Sequence, residues 1–323
     1  MRLPIGIVYC MLLFSLTACE KPKAPVLLTF TEGETRSVSL KSNTTFGVDM
    51  KAMTKAMGGM GGMAGGLPNM DTSLTEDIEF QFKVTRVDEN GNAEIDAKIV
   101  SHDVDQKIPM MGMVPELENI QYVRQAVCKG LRGKEFKMHL TRVGKVSYII
   151  GWQEIKVGIL RSVNATDLDR QMPGLTKNTT DEIASEDVIK KRIESLFALY
   201  REEPIAEGDS WSVQPFSATG TPFAVKTIYT HGGNEGGYTL LGVHGEVDMT
   251  MFKDGPLAML GGDIDFKGDS KGSAALDGTT GWIVKEELQT DILGESSMSI
   301  PGGPSLKMPM TIKGTRVVET VAM

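Results

Sequence analysis

Met50, Met53, Met57, Met60 and Met63 recur at spacings of three and four, in a stretch that passes into Gly58-Gly59, Gly61-Gly62 and Gly65-Gly66. Met110, Met111 and Met113 form a second group. Thioethers are soft ligands, so methionines in series are what a Cu(I) site in a cell envelope would use. The same spacing also makes an amphipathic stripe, and methionine conforms to irregular apolar shapes. No histidine or cysteine stands beside the stretch. The residues therefore favour a plain loop, or an apolar flap over a flexible ligand such as an acyl chain; methionine-based copper binding is the alternative.

Other chemistry is sparse. His102, His139, His231 and His244 are scattered, without the spacings that seat zinc. No Gly-x-Ser-x-Gly elbow and no phosphate loop occurs. Asp103 with Asp105, and Asp263 with Asp265, stand two apart and so share a face of an extended chain. They could bind a cation or act as acid and base, but solvated strand charges account for them more simply. Ser296-Ser297 beside Gly294 reads as a turn, and Trp211 and Trp282 as core anchors. No cofactor and no catalysis are expected; an enzyme whose site no motif reveals is the further alternative.

Cys19 is the one residue with a chemistry written beside it. Met1-Arg2 opens the chain with a positive charge, residues 3–14 are nearly all apolar, and Leu16-Thr17-Ala18 leads into the cysteine. This is a secretory leader, too short to span a bilayer. The tetrapeptide resembles the lipobox of bacterial lipoproteins. That resemblance implies cleavage before Cys19, a diacylglycerol on its thiol and an acylated (palmitate-type) amine. Each buried CH₂ contributes about 0.8 kcal/mol, so two or three chains would anchor the protein durably. Glu20 is not the aspartate that retains such proteins at the inner membrane, so the outer membrane is expected. Residues 19–26, with Pro22 and Pro25, read as a short extended spacer.

Composition bounds the partners. Lys+Arg of 34 against Asp+Glu of 42 gives a net charge of −8, which argues against nucleic acid. Of three cysteines, Cys10 leaves with the leader and Cys19 carries lipid, so Cys128 has no partner for a disulfide and is expected to be buried and inert.

The elements that must position these residues are mostly strands. Residues 31–38 and 206–213 both read as a glycine turn between acidic residues, followed by an alternating strand. Each is followed by hairpins: 77–87 with 93–100 and 136–140 with 146–150 in one half, 223–230 with 238–247 and 272–276 with 282–288 in the other. A last strand covers 307–321. Two helices are predicted: residues 180–200, capped by Thr180 and ended by Pro204, and residues 116–129, stopped by Gly130 with Cys128 facing the core.

Glu207-Gly208-Asp209-Ser210-Trp211 after an amphipathic helix, Gly281-Trp282-Ile283-Val284-Lys285, the methionine-rich segments and Pro309-Met310-Thr311-Ile312-Lys313-Gly314-Thr315 resemble an uncharacterised family of bacterial exported proteins, domain-of-unknown-function family 6263. The resemblance implies an architecture and transfers no activity. The expected protein is mainly β (α+β), with antiparallel curved sheets from two related half-domains and one or two amphipathic helices. Its parts are a leader (1–18), a spacer (19–26), an N-terminal β-rich half (27–178) and a C-terminal half beginning with a helix (179–323). The expected role is a non-catalytic binding or structural module at the outer membrane. It would present an apolar groove near residues 50–70 to a hydrophobic small molecule or an envelope protein.

Overall fold

The computed structural model describes residues 22–49, 70–108, 115–163, 174–213, 224–248, 262–299 and 305–323. The protein is mainly β, as the alternation predicts. The described strands, in chain order, are β1 (Ala24–Val26), β2 (Thr35–Val48), β3 (Met70–Val87), β4 (Ala93–Lys107), β5 (Glu135–Leu140) and β6 (Val146–Ile150), then β7 (Arg201–Ile205), β8 (Ser210–Ser212), β9 (Ala224–Glu235), β10 (Tyr238–Asp248), β11 (Gly262–Asp277), β12 (Ile283–Ser299) and β13 (Ser305–Ala322). The helices are α1 (Pro115–Leu131), α2 (Trp152–Val163), α3 (Leu175–Ala184) and α4 (Glu186–Leu196).

Eleven strands form one open antiparallel sheet in the order β6-β5-β4-β3-β2-β13-β12-β11-β10-β9-β8. All neighbours but one are consecutive in the chain. The exception, β2 with β13, joins the first long strand to the last over thirteen residue pairs, Met310↔Val48 to Ala322↔Arg36. Strands before the helices and strands after them therefore share one surface. One end of the sheet, the base, carries the hairpin turns at 88–92, 141–145 and 277–282; at the other, the rim, the chain leaves at Val48, Lys107, Asp248 and Ser299.

Local chemistry accounts for the hairpins. In β3, Ile78, Phe80, Phe82 and Val84 point inward and are buried, while Asp77, Glu79, Gln81 and Lys83 point outward, the period of two that the pleat imposes. Asp88 turns the chain into β4 by accepting the N–H groups of Asn90 (2.9 Å) and Asn92 (2.8 Å). Asp277 does the same for Thr279 (3.0 Å) and Thr280 (2.7 Å) before β12.

The helices cover the inner face on the β3–β6 side, with α1 along β4 and α4 against β6. The α1 helix extends one residue past Gly130, and Cys128 is buried on it as expected. The predicted helix over 180–200 is corrected: it is two helices broken at Ser185, which is extended (φ −70°, ψ 154°), and Thr180 is a buried interior residue of α3, not a cap. The break is held by tertiary hydrogen bonds onto the end of α3. The Trp152 indole N–H donates to Ala184 O at 2.9 Å and Arg192 to Ile183 O at 3.4 Å. Where no element was predicted after residue 150, α2 buries Trp152, Ile155, Ile159 and Val163 as one stripe. Ser296 and Ser297, read as a turn, lie inside β12.

Residues 24–30 are woven into the base. β1 pairs with β7. Leu28 N–H then bonds Arg142 O (2.9 Å) in the β5–β6 turn, and Thr29 N–H bonds Thr280 O (2.8 Å) in the β11–β12 turn. This segment thus ties together hairpins from opposite sides of the sheet, and Phe30 packs edge-on against Trp282 at 5.9 Å.

Candidate functional site

Cys19, Met50, Met53, Met57, Met60, Met63, Met110, Met111 and Met113 lie outside the described residues. The carboxylate pairs singled out in the sequence do not converge with the histidines on one site among the described residues. Asp103 pairs with Arg132, while Asp105 accepts Gln121 at 3.3 Å and faces Lys107 at 3.9 Å; each has its own partner. Of Asp263 and Asp265 only the backbone pairing is described, with Ser297 and Glu295. His139 stacks on Tyr148. Trp211 and Trp282 are buried, as core anchors should be. Among the described residues no group of three or more His, Cys, Asp or Glu is arranged to hold a metal, and no helix is long and apolar enough to cross a membrane.

What the fold does bring together is a buried charged cluster. Glu76 on β3 continues the inward phase of Ile78 and Phe80, so its carboxylate points into the protein and is 3% exposed. His102 on β4 is fully buried, and Arg192 on α4, between Ile189 and Ile193 on the apolar stripe, is 2% exposed. Glu76 Oε1 receives Arg192 Nη2 at 2.7 Å and lies 3.3 Å from His102 Nε2. Burial pushes the Glu76 carboxyl up, but the Arg192 charge and the His102 contact outweigh it and hold it below the usual range. Burial pulls the His102 imidazole down, Glu76 raises it and Arg192 lowers it, and the net is a neutral ring. The Cys128 thiol senses Arg192 and Glu76, yet burial dominates and pushes it to about 12, so it is not a nucleophile.

A second buried carboxylate lies across the sheet. Glu286 on β12, 1% exposed, accepts Arg316 at 2.6 Å and the Tyr229 hydroxyl at 3.3 Å, and Arg316 also donates to Ser195 O on α4 at 3.0 Å. Strand register aligns the two groups: Glu76 pairs with Ser42, and Ser42 with Arg316, in one row across β3, β2 and β13. This polar belt crosses the inner face midway along the strands. Towards the rim the face is apolar again, with Leu74, Ile292, Met310 and Ile312 buried but separate from the main core. On the outer face, Thr35, Gln81 and Lys83 border a cleft of about 410 Å³ together with the ion pairs Lys98–Glu135 (3.0 Å) and Lys137–Asp96 (3.7 Å).

Sequence reasoning missed Glu76, Arg192 and Glu286. The signal was phase: each is a charge standing at an inward position of an otherwise apolar repeat. Chemically the belt neutralises its own charges, and its single thiol is protonated. It holds elements together, and burial keeps the Tyr229 hydroxyl beside Glu286 protonated as well.

Comparison with known proteins gives a family and no mechanism. The model of a family described as "Family of unknown function (DUF6263)" matches residues 90–283, more than half of the chain. No curated protein matches. Among solved structures, a study of lipid–protein interactions in lipovitellin aligns at 9% identity and a TM-score of 0.40, over 90% of this chain and 25% of that one, so the chain spans a quarter of the length of that relative. An outer membrane channel from Pseudomonas putida F1 aligns at 8% identity and a TM-score of 0.20, over 91% of this chain and 97% of that one.

Proposed function

We propose, for a chain that belongs to the family of unknown function DUF6263, a non-catalytic role: a lipid-anchored envelope protein that takes up a hydrophobic molecule at the rim of its sheet. The observation that carries this reading is the apolar strip beyond the polar belt. Ile292, Met310 and Ile312 lie on the neighbouring strands β12 and β13, and Leu74 lies across β2 on β3; all four face inward and stand outside the main core, beyond Glu76 on β3 and Arg316 on β13. The stretches of sequence that follow the strand ends Val48, Lys107 and Asp248, residues 49–69, 108–114 and 249–261, carry most of the 20 methionines, side chains that adapt to flexible apolar ligands.

The anchor in this reading is Cys19, five residues before β1, and so attached to the base, with the outer membrane as its site. The rim stands a strand length away, roughly 45 Å for the fourteen residues of β2 at about 3.3 Å each. The hydrophobic molecule is then met away from the surface that holds the anchor.

Mass spectrometry of the protein extracted natively from its own membranes tests the binding role. A stoichiometric acyl-chain molecule is expected, and a protein that carries none, or carries copper instead, overturns it. Cys19→Ser is expected to move the protein from the membrane to the soluble fraction; unchanged membrane association would refute the anchor.

A further inference from the structure

We propose that the Glu76–His102–Arg192 cluster is an acid-operated latch, holding α4 on the sheet while His102 is neutral and releasing it when His102 takes up a proton. The geometry has three parts. A single oxygen, Glu76 Oε1, serves both Arg192 at 2.7 Å and His102 at 3.3 Å, so one negative charge already faces one positive charge. Because that oxygen accepts, neutral His102 carries its hydrogen on Nε2. Its Nδ1 is then buried, with no hydrogen-bond partner among the described residues.

Protonation changes each part for the worse. The ring gains an Nδ1–H with nothing to accept it, and an unsatisfied buried donor is costly. A second cation enters a site with one carboxylate, so two positive charges compete for Glu76. Among the other charged groups Asp103 favours the charged ring, but less than burial and Arg192 oppose it. Asp103, the neighbour of His102 on β4, is exposed and paired with Arg132 of the segment after α1. Arg124 on α1 is a further cation, held by Glu182 of α3. On α3, Asp181 is taken by Lys156 of α2 and by Lys177. β2 places only Ser42 opposite Glu76. The strain is removed when α4 lifts and both cations reach water.

Coupling to one proton gives the latch a defined response. A histidine free in water titrates near pH 6.5, so below about that value opening of α4 should rise about tenfold per pH unit, until the buried ring itself can titrate. Nothing in this depends on a bound molecule, so the latch stands or falls apart from the binding reading above.

Hydrogen exchange of the α4 amides in the full chain, corrected for the intrinsic pH dependence of exchange, reads the opening directly between pH 7.5 and 5. The wild type is expected to show the tenfold-per-unit rise. His102→Gln, which keeps a donor for Glu76 but cannot titrate, is expected to be flat over the same range; an unchanged acid response in that variant overturns the latch. In the wild type, NMR of the imidazole supplies a reading that needs no variant. The His102 ring should keep neutral shifts for as long as α4 is protected. A ring that titrates near pH 6.5 beneath a fully protected α4 overturns the proposal.

Discussion

Arg192→Ala is expected to destabilise the fold by about 3–5 kcal/mol, the cost of leaving a buried carboxylate without its counter-charge. Glu76 is 3% exposed and has no solvent to fall back on. The variant would also lose the bond from Arg192 to Ile183 O that helps to end α3. Urea unfolding checks the size, and two controls check the cause. Arg132→Ala, which removes an exposed pair with Asp103, should change stability by about 0–1 kcal/mol. The double variant Glu76→Leu/Arg192→Leu should recover part of the loss, because no buried charge is then left without its counter-charge, although the His102 Nε2–H loses its acceptor. A double variant as unstable as Arg192→Ala would mean that packing of α4, and not the charge, was lost.

Gly281→Ala is expected to cost about 3 kcal/mol or more, from a left-handed backbone and a steric overlap together. Gly281 lies between β11 and β12 at φ +73°, and a Cβ there would run into the carbonyl oxygen of Leu27. Leu27 cannot yield easily, since its neighbours Leu28 and Thr29 are bonded to Arg142 and Thr280. Gly144 stands in the equivalent turn of the β5–β6 hairpin at φ +74°, and a Cβ there would strike Phe197. Gly208→Ala, at φ +95° with open space around it, isolates the backbone contribution and should cost about 1–2 kcal/mol. If Gly281→Ala and Gly208→Ala came out alike in thermal or urea unfolding, the first segment would not be clamped at the base as described.

Hairpins were the most legible feature, because their signals are local. Asp88-Glu89-Asn90-Gly91 and Asp277-Gly278-Thr279-Thr280-Gly281 carry their turn geometry in their own side chains. Alternation marked β3 to β6 and β9 to β13, although the rim ends of β3, β4, β11 and β12 ran further than their hydrophobic pattern did. A long strand edge on either side satisfies backbone groups regardless of side-chain phase, so sheet pairing extended what periodicity alone would have stopped. The helix break at Ser185 was hidden for the opposite reason. The apolar stripe continues through it, and the carbonyls that a continuous helix would use are taken by Trp152 and Arg192 from elsewhere in the chain.

The sequence alone determined the mainly β class, the hairpin turns at 88–92 and 277–282 and the burial of Cys128, Trp211 and Trp282, since these follow from local residue patterns, and the family, which follows from a match over residues 90–283. Only the tertiary structure decided that the strands on either side of the helices form one sheet through β2 and β13, and that Glu76, His102 and Arg192 meet. Those residues lie far apart in the chain, and no local spacing encodes which strand closes on which. Burial completed the change: it turned a glutamate in an acidic stretch and an arginine on a helix from solvated charges into a single interacting unit.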